Sequence, residues 1–221
     1  MTYSLLGSLF LYPARDDLSE LIAAADSLPY WTDLVRGFPF FPQLRVLLDR
    51  LQGMSDEALE QLEHEYVDLF VVSTAQASCP PYESAFMGQQ GRERGLVSVE
   101  VERAYAASGV TVAEQGELPD HAALELGFLS MLCGEEERAW REAEAERAFD
   151  SLLREAQFHD EHLQRWLPAF ARRLGSVASP GSFYCTLSDS AHAFVVHDRD
   201  LVRVLGRERS LVAAERRVPC P

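Results

Sequence analysis

Apolar residues at Leu59, Leu62, Tyr66, Leu69 and Phe70 recur every three or four positions. That spacing predicts a helix with one face turned to a core. Ser55 stands where a cap is needed, and acids fill the following turn, where the helix dipole favours them. The same spacing predicts a first helix over 2–11, ending at Tyr12-Pro13, and a second over 17–28, where Asp17 and Glu20 form a near capping box. Residues 38–43, "FPFFPQ", are a proline-punctuated turn. Ser98 opens a helix that Gly109 closes.

After a linker over 110–119, Asp120 is the expected cap of "HAALELGFLSMLC", closed by Gly134. This segment is apolar around most of its circumference and should be central and buried. Residues 135–156 read as one long helix with a single apolar stripe. Further helices follow in "HLQRWLPAFARRLG", where Pro168 marks a kink or restart, and in "SFYCTLSDSAHAFVVHDRDLVRVLG". No repeat appears, and no alternating run is long enough for a sheet. The fold class is all-α, about nine or ten helices in one bundle. A hinge near 110–119 would divide a helical part over about 1–109 from another over about 120–215.

One stretch breaks the pattern. "ASCPPYESAFMGQQGRERG", residues 77–95, carries Pro80, Pro81, Tyr82, Glu83, Gly88, Gly91 and Gly95. The prolines give a stiff extended segment and the glycines permit turns. Loops of this length inside a compact domain are often functional. Tyr82, Phe86 and Met87 would be costly as idle surface, so they are expected to pack on something.

Composition narrows the chemistry. The formal net charge is −15, with 35 acidic against 20 basic residues. This argues against a nucleic-acid partner, which needs clustered positive charge. It suits a cationic partner, or solubility alone. Every basic residue is arginine. The absence of lysine excludes Schiff-base enzymes, P-loop NTPases and protein kinases. Four scattered cysteines form no CxxC pair, as in a chain kept in a reducing cytoplasm. No apolar run approaches the roughly 20 residues that span a bilayer, so no stable membrane insertion is expected. The apolar start lacks the basic region and cleavage site of a signal peptide.

Catalytic motifs are scarce: there is no HExxH, no GxSxG and no dinucleotide fingerprint. His159 and His162, beside Asp160 and Glu161, read as a solvated surface cluster rather than a metal site, because the spacing fixes no complete ligand set. His121 and Glu125 share a helix face. They are either a satisfied intrahelical pair, which would raise the basicity of the imidazole, or a polar spot lining a groove.

Three segments together resemble the TorD family, the cytoplasmic chaperones of molybdenum-containing oxidoreductases. "EYVDLF" (65–70) is similar to the family's Tyr-x-x-Leu-Phe, "PPYESAF" (80–86) to its Pro-Tyr-Glu-Ser segment, and "PDHAALELGFL" (119–129) to its Asp-His and Glu-Leu-x-Phe pattern. The resemblance implies a cytoplasmic, non-catalytic protein without cofactor or metal. It would bind the twin-arginine signal peptide, or another segment, of an apo molybdopterin oxidoreductase until cofactor insertion. The residues it points to for peptide binding are Tyr82, Glu83, Ser84, Phe86, Asp120, His121 and Glu125. Tyr82 and Phe86 would supply apolar contact, Glu83, Asp120 and Glu125 negative charge, and His121 orientation, with Ser84 shaping the turn. The runner-up is a nitrate-reductase-type assembly factor for a client that stays in the cytoplasm. A nucleotide hydrolase and a plain helical interaction module are the competing classes. Both a monomer and a half-exchanging dimer fit this reading.

Overall fold

The computed structural model describes residues 1–14, 33–52, 54–72, 78–87, 94–112 and 116–215. Nine α-helices have described bounds: α1 (Thr2–Leu9), α2 (Phe41–Gln52), α3 (Asp56–Tyr66), α4 (Glu83–Met87), α5 (Arg94–Ala107), α6 (Ala122–Arg141), α7 (Ala145–Phe158), α8 (Gln164–Val177) and α9 (Phe183–Glu215). Among the described residues there is no strand, only one isolated bridge between Tyr82 and His121. The all-α expectation holds. The helix expected over 17–28 lies outside the described residues.

The apolar stripes read from the sequence form one core. Leu59, Leu62, Tyr66, Leu69 and Phe70 are all buried, and the Ser55 hydroxyl accepts the Ala58 N–H at 3.3 Å. α6 is central, packed on α1 and α7 and burying Leu126, Leu129 and Leu132 completely. At Gly7 of α1, an added Cβ would stand 3.1 Å from the Ala123 carbonyl, so a side chain there would push the two helices apart. α8 and α9 pack together, and α9 also covers α2 and α7. Trp166, Phe170 and Tyr184 fill the space between. Gly109, with φ of 75°, takes the left-handed position after α5, as its place in the sequence predicts.

α5 begins at Arg94 rather than Ser98, Phe41–Gln43 of the expected turn already belong to α2, and Glu83–Met87 of the expected loop form a short helix. Three further differences surround α6. α6 does not close at Gly134 but runs to Arg141. Gly134 costs about 1 kcal/mol relative to alanine in a helix, and packing on either side of it overrides that preference. The long helix expected over 135–156 is divided at Glu142–Glu144, where Ala143 has φ of 60°. The turn is closed by Glu144 N–H donating to the Ala139 carbonyl at 2.8 Å, and by Trp140 meeting Phe149 edge-on at 5.2 Å. No glycine or proline announces this break. The third difference is the cap of α6, which is His121 rather than Asp120.

Two π-helical turns interrupt the α ladder, Val67–Val71 after α3 and His159–Leu163 between α7 and α8. Pro168 falls in the early turns of α8, just after the second of these.

Candidate functional site

The segments 80–86 and 119–125 are fastened to each other by backbone and side chain. Ala122 N–H donates to the Pro81 carbonyl at 2.8 Å, and Glu83 N–H to the Asp120 carbonyl at 2.9 Å. These bonds flank the Tyr82–His121 bridge, whose rings meet edge-on at 4.9 Å. Asp120 Oδ2 accepts the Ser84 N–H at 3.0 Å. Asp120 is therefore a cap, but of α4 across the chain and not of its own helix.

His121 caps α6: its Nδ1 accepts the Ala123 N–H at 3.1 Å. An Nδ1 that accepts must be unprotonated, which places the proton of the neutral ring on Nε2. Burial lowers the ring's basicity, against the opposing charges of Glu117 and Asp120. The intrahelical His121–Glu125 pair, with raised basicity, is therefore not what forms. Glu125 Oε2 instead accepts the Trp166 Nε1–H at 3.0 Å. Burial, then the neighbouring charges of Glu83 and Asp120, hold the Glu125 carboxyl well above the usual carboxylate range, despite the opposing indole bond.

Glu83 reaches the opposite wall, where its Oε2 lies 2.9 Å from His162 Nδ1. Phe86 packs on Trp166 with tilted rings at 5.9 Å and meets Phe170 edge-on at 5.7 Å between ring centres. The Tyr82 hydroxyl donates to Glu117. Burial and that carboxylate keep the phenol well above its ordinary range.

All seven residues singled out from the sequence thus come together. They do not all face solvent. Asp120 and Glu125 are completely shielded, Glu83 is 1% exposed, and Ser84 and His121 are buried. Tyr82 and Phe86 are half-buried and form the accessible edge.

His159 and His162 correct the sequence reading most sharply: both are buried, not on a solvated surface. The π-helical turn turns both rings inward. His159 Nε2 lies 2.7 Å from the Tyr3 hydroxyl and 3.1 Å from Asp198. The available signal was the series Phe158, His162, Trp166, Phe170, four residues apart, which sets His162 on an apolar stripe. Trp166 stands on the same stripe and was missed with it, whereas Glu117 has no comparable signal. Among the described residues no group of three His, Cys, Asp or Glu side chains is placed to hold a metal ion.

Hollows lie beside this knot and along α3. One, of about 200 Å³, is walled by Phe128, Phe158, Glu161 and His162. Two larger ones, of about 490 and 380 Å³, flank Glu65.

Comparison with known proteins places the sequence in a family. The family described as nitrate reductase delta subunit matches residues 41–172, which include both fastened segments. A selenate reductase assembly chaperone protein of Thauera selenatis is 35% identical over 60% of this chain and 68% of its own length. The chaperone protein TorD of Vibrio cholerae is 32% identical over 73% of this chain and 70% of its own. A structure from Archaeoglobus fulgidus, described as a candidate redox enzyme maturation protein, shares the fold with a TM-score of 0.59. It is 23% identical over 87% of this chain and 91% of that one. The chain belongs to the TorD family of redox-enzyme maturation chaperones, within the nitrate reductase delta subunit family.

Proposed function

We propose that the protein binds the twin-arginine leader, or another segment, of the catalytic subunit of a molybdopterin oxidoreductase. It holds the apo-enzyme until the cofactor is inserted, before export or assembly. The observation that carries this reading is the kinship, over 60% and 55% of the chain, to assembly chaperones named for selenate and chlorate reductases. The chemistry agrees with it. A leader offers two guanidinium groups ahead of an apolar stretch, and a protein of net charge −15 attracts the first.

The peptide-binding set divides by exposure. Tyr82 and Phe86 present partly open rings to the guest's apolar side chains. Glu83, Ser84, Asp120, His121 and Glu125 stand behind them and fix the wall's shape. The mode is docking of a segment by its side chains, with no covalent step. Binding of this kind needs neither metal nor cofactor in the chaperone, and its place of action is the cytoplasm, where the client is made.

The family description favours a second reading, an assembly factor for a nitrate-reductase-type client that stays in the cytoplasm. A titration of the full chain with a synthetic leader, two adjacent arginines ahead of an apolar stretch, separates the two. The first reading expects saturable binding that weakens when both arginines become lysine, because lysine lacks the bidentate fork. Absence of binding, alongside capture of the mature subunit, supports the second.

A further inference from the structure

We infer that the groove between α3 and the turn over 177–183 is the seat of the arginine-bearing end of the client's leader. This inference rests on the leader-binding reading above and names the surface that does the binding.

The two hollows of about 490 and 380 Å³ share Gln61, Glu65 and Ser182, so they are neighbouring parts of one groove. Its walls are α3 on one side and the α8–α9 turn on the other. From Met54 to Leu69 the groove follows the helix for roughly 20 Å at about 1.5 Å per residue. That is room for about six extended residues at about 3.3 Å each. Leu69 and Val177 line one end and Met54, Leu62 and Phe183 the other, with the half-buried Val177 and Met54 the more open of these apolar side chains.

Charge selects the occupant. α3 and its π-helical turn carry Glu57, Glu60, Glu63, Glu65 and Asp68, with His64 as the single basic-type side chain over 57–71. Asp68 is exposed at the Leu69 end. Glu65 lines both hollows, and its Oε1 is buried without a hydrogen-bond partner. An acceptor left open in a half-buried carboxylate is filled best by a charged donor, and a guanidinium brings several in a rigid fork. Burial holds the Glu65 carboxyl above its ordinary value, with Ser182 and Arg50 opposing.

The groove is also polar along its length. Arg50 lines the hollow on the Met54 side of Glu65, close enough to act on that carboxyl, and repels guanidinium groups from that side. Arginines therefore sit at the Glu65–Asp68 end, and the apolar stretch runs toward Met54 and Phe183. The acidic end adjoins the proline loop, because Cys79 N–H donates to the Leu69 carbonyl at 2.8 Å. Groove and loop thus form one continuous client face.

The test uses the full chain and the same synthetic leader, labelled for fluorescence anisotropy. Glu65→Gln with Asp68→Asn is expected to weaken binding about tenfold. Gln61→Trp and Ser179→Trp, both at exposed positions, fill the groove and are expected to weaken it as much. The charge-matched control Glu100→Gln with Glu102→Gln, on exposed positions of α5, should leave affinity unchanged. Thermal melts verify that each variant folds. Wild-type binding that all groove variants retain overturns the groove and leaves the leader-binding reading standing. Equal weakening by the α5 control overturns it as well, since only net charge would then matter. A wild-type chain that does not bind the leader overturns both.

Discussion

His162 Nδ1 and Glu83 Oε2 meet at 2.9 Å although they lie 79 positions apart. The contact joins the π-helical turn to the proline loop, and both partners are buried. Around it, Trp166 holds Glu125 and Asp120 holds Ser84. Burial, and then the nearby charge of Glu83, disfavour ionisation of Glu125 and hold its carboxyl well above the usual carboxylate range.

Removing one partner of such a buried contact strands the other. Glu83→Ala should lower the unfolding free energy by about 1–3 kcal/mol, measured by urea denaturation. Glu83→Gln keeps an acceptor opposite His162 and should cost less. An alanine variant as stable as the parent would show that the contact contributes nothing.

Asp120 fastens α4 without capping its own helix. Asp120→Ala should cost about 1–2 kcal/mol, the usual penalty for a lost cap. It should also raise amide exchange at Ser84 more than at Ala123, whose partner His121 is untouched. Equal loosening at both amides would instead identify Asp120 as a cap of α6.

Glu155 makes stability depend on pH. Burial, aided by the charges of Glu136 and Asp198, pushes its carboxyl up to about 8 from an ordinary 4.5. The native protein therefore keeps a proton that the unfolded chain releases. Its stabilising contribution is complete below about 4.5 and declines as pH rises to about 8. Its Oε1 also lacks a partner. Glu155→Gln should raise the melting temperature at about pH 8, by an amount worth roughly 1–3 kcal/mol. The difference should shrink toward about pH 5. Parallel melting curves across that range would contradict this.

Much of the fold was legible because the core stripes are regular. The series from Leu59 to Phe70, the Ser55 cap and the left-handed Gly109 all lie where spacing and residue type put them. Proximity of the two motif segments followed only from the family resemblance. What failed has local causes. Spacing cannot show a π-helical turn, so the inward rotation of His159 was hidden, while that of His162 was announced only by its place on the Phe158–Phe170 stripe. A histidine can cap as an aspartate does, so the start of α6 was misplaced by one residue. The break at Ala143 has no punctuating residue and depends on Trp140 meeting Phe149. Burial of Glu83, Asp120 and Glu125 was missed because carboxylates are read as surface unless a partner is known.

The most direct test of the central claim, that a cationic leader docks on the face made by α3, the proline loop and the start of α6, is hydrogen–deuterium exchange of the full chain with and without the leader. The account predicts slower exchange over 61–69, 78–87 and the first turn of α6, with the exposed surface of α7 unchanged. Saturating leader that alters exchange nowhere in those three segments would contradict it.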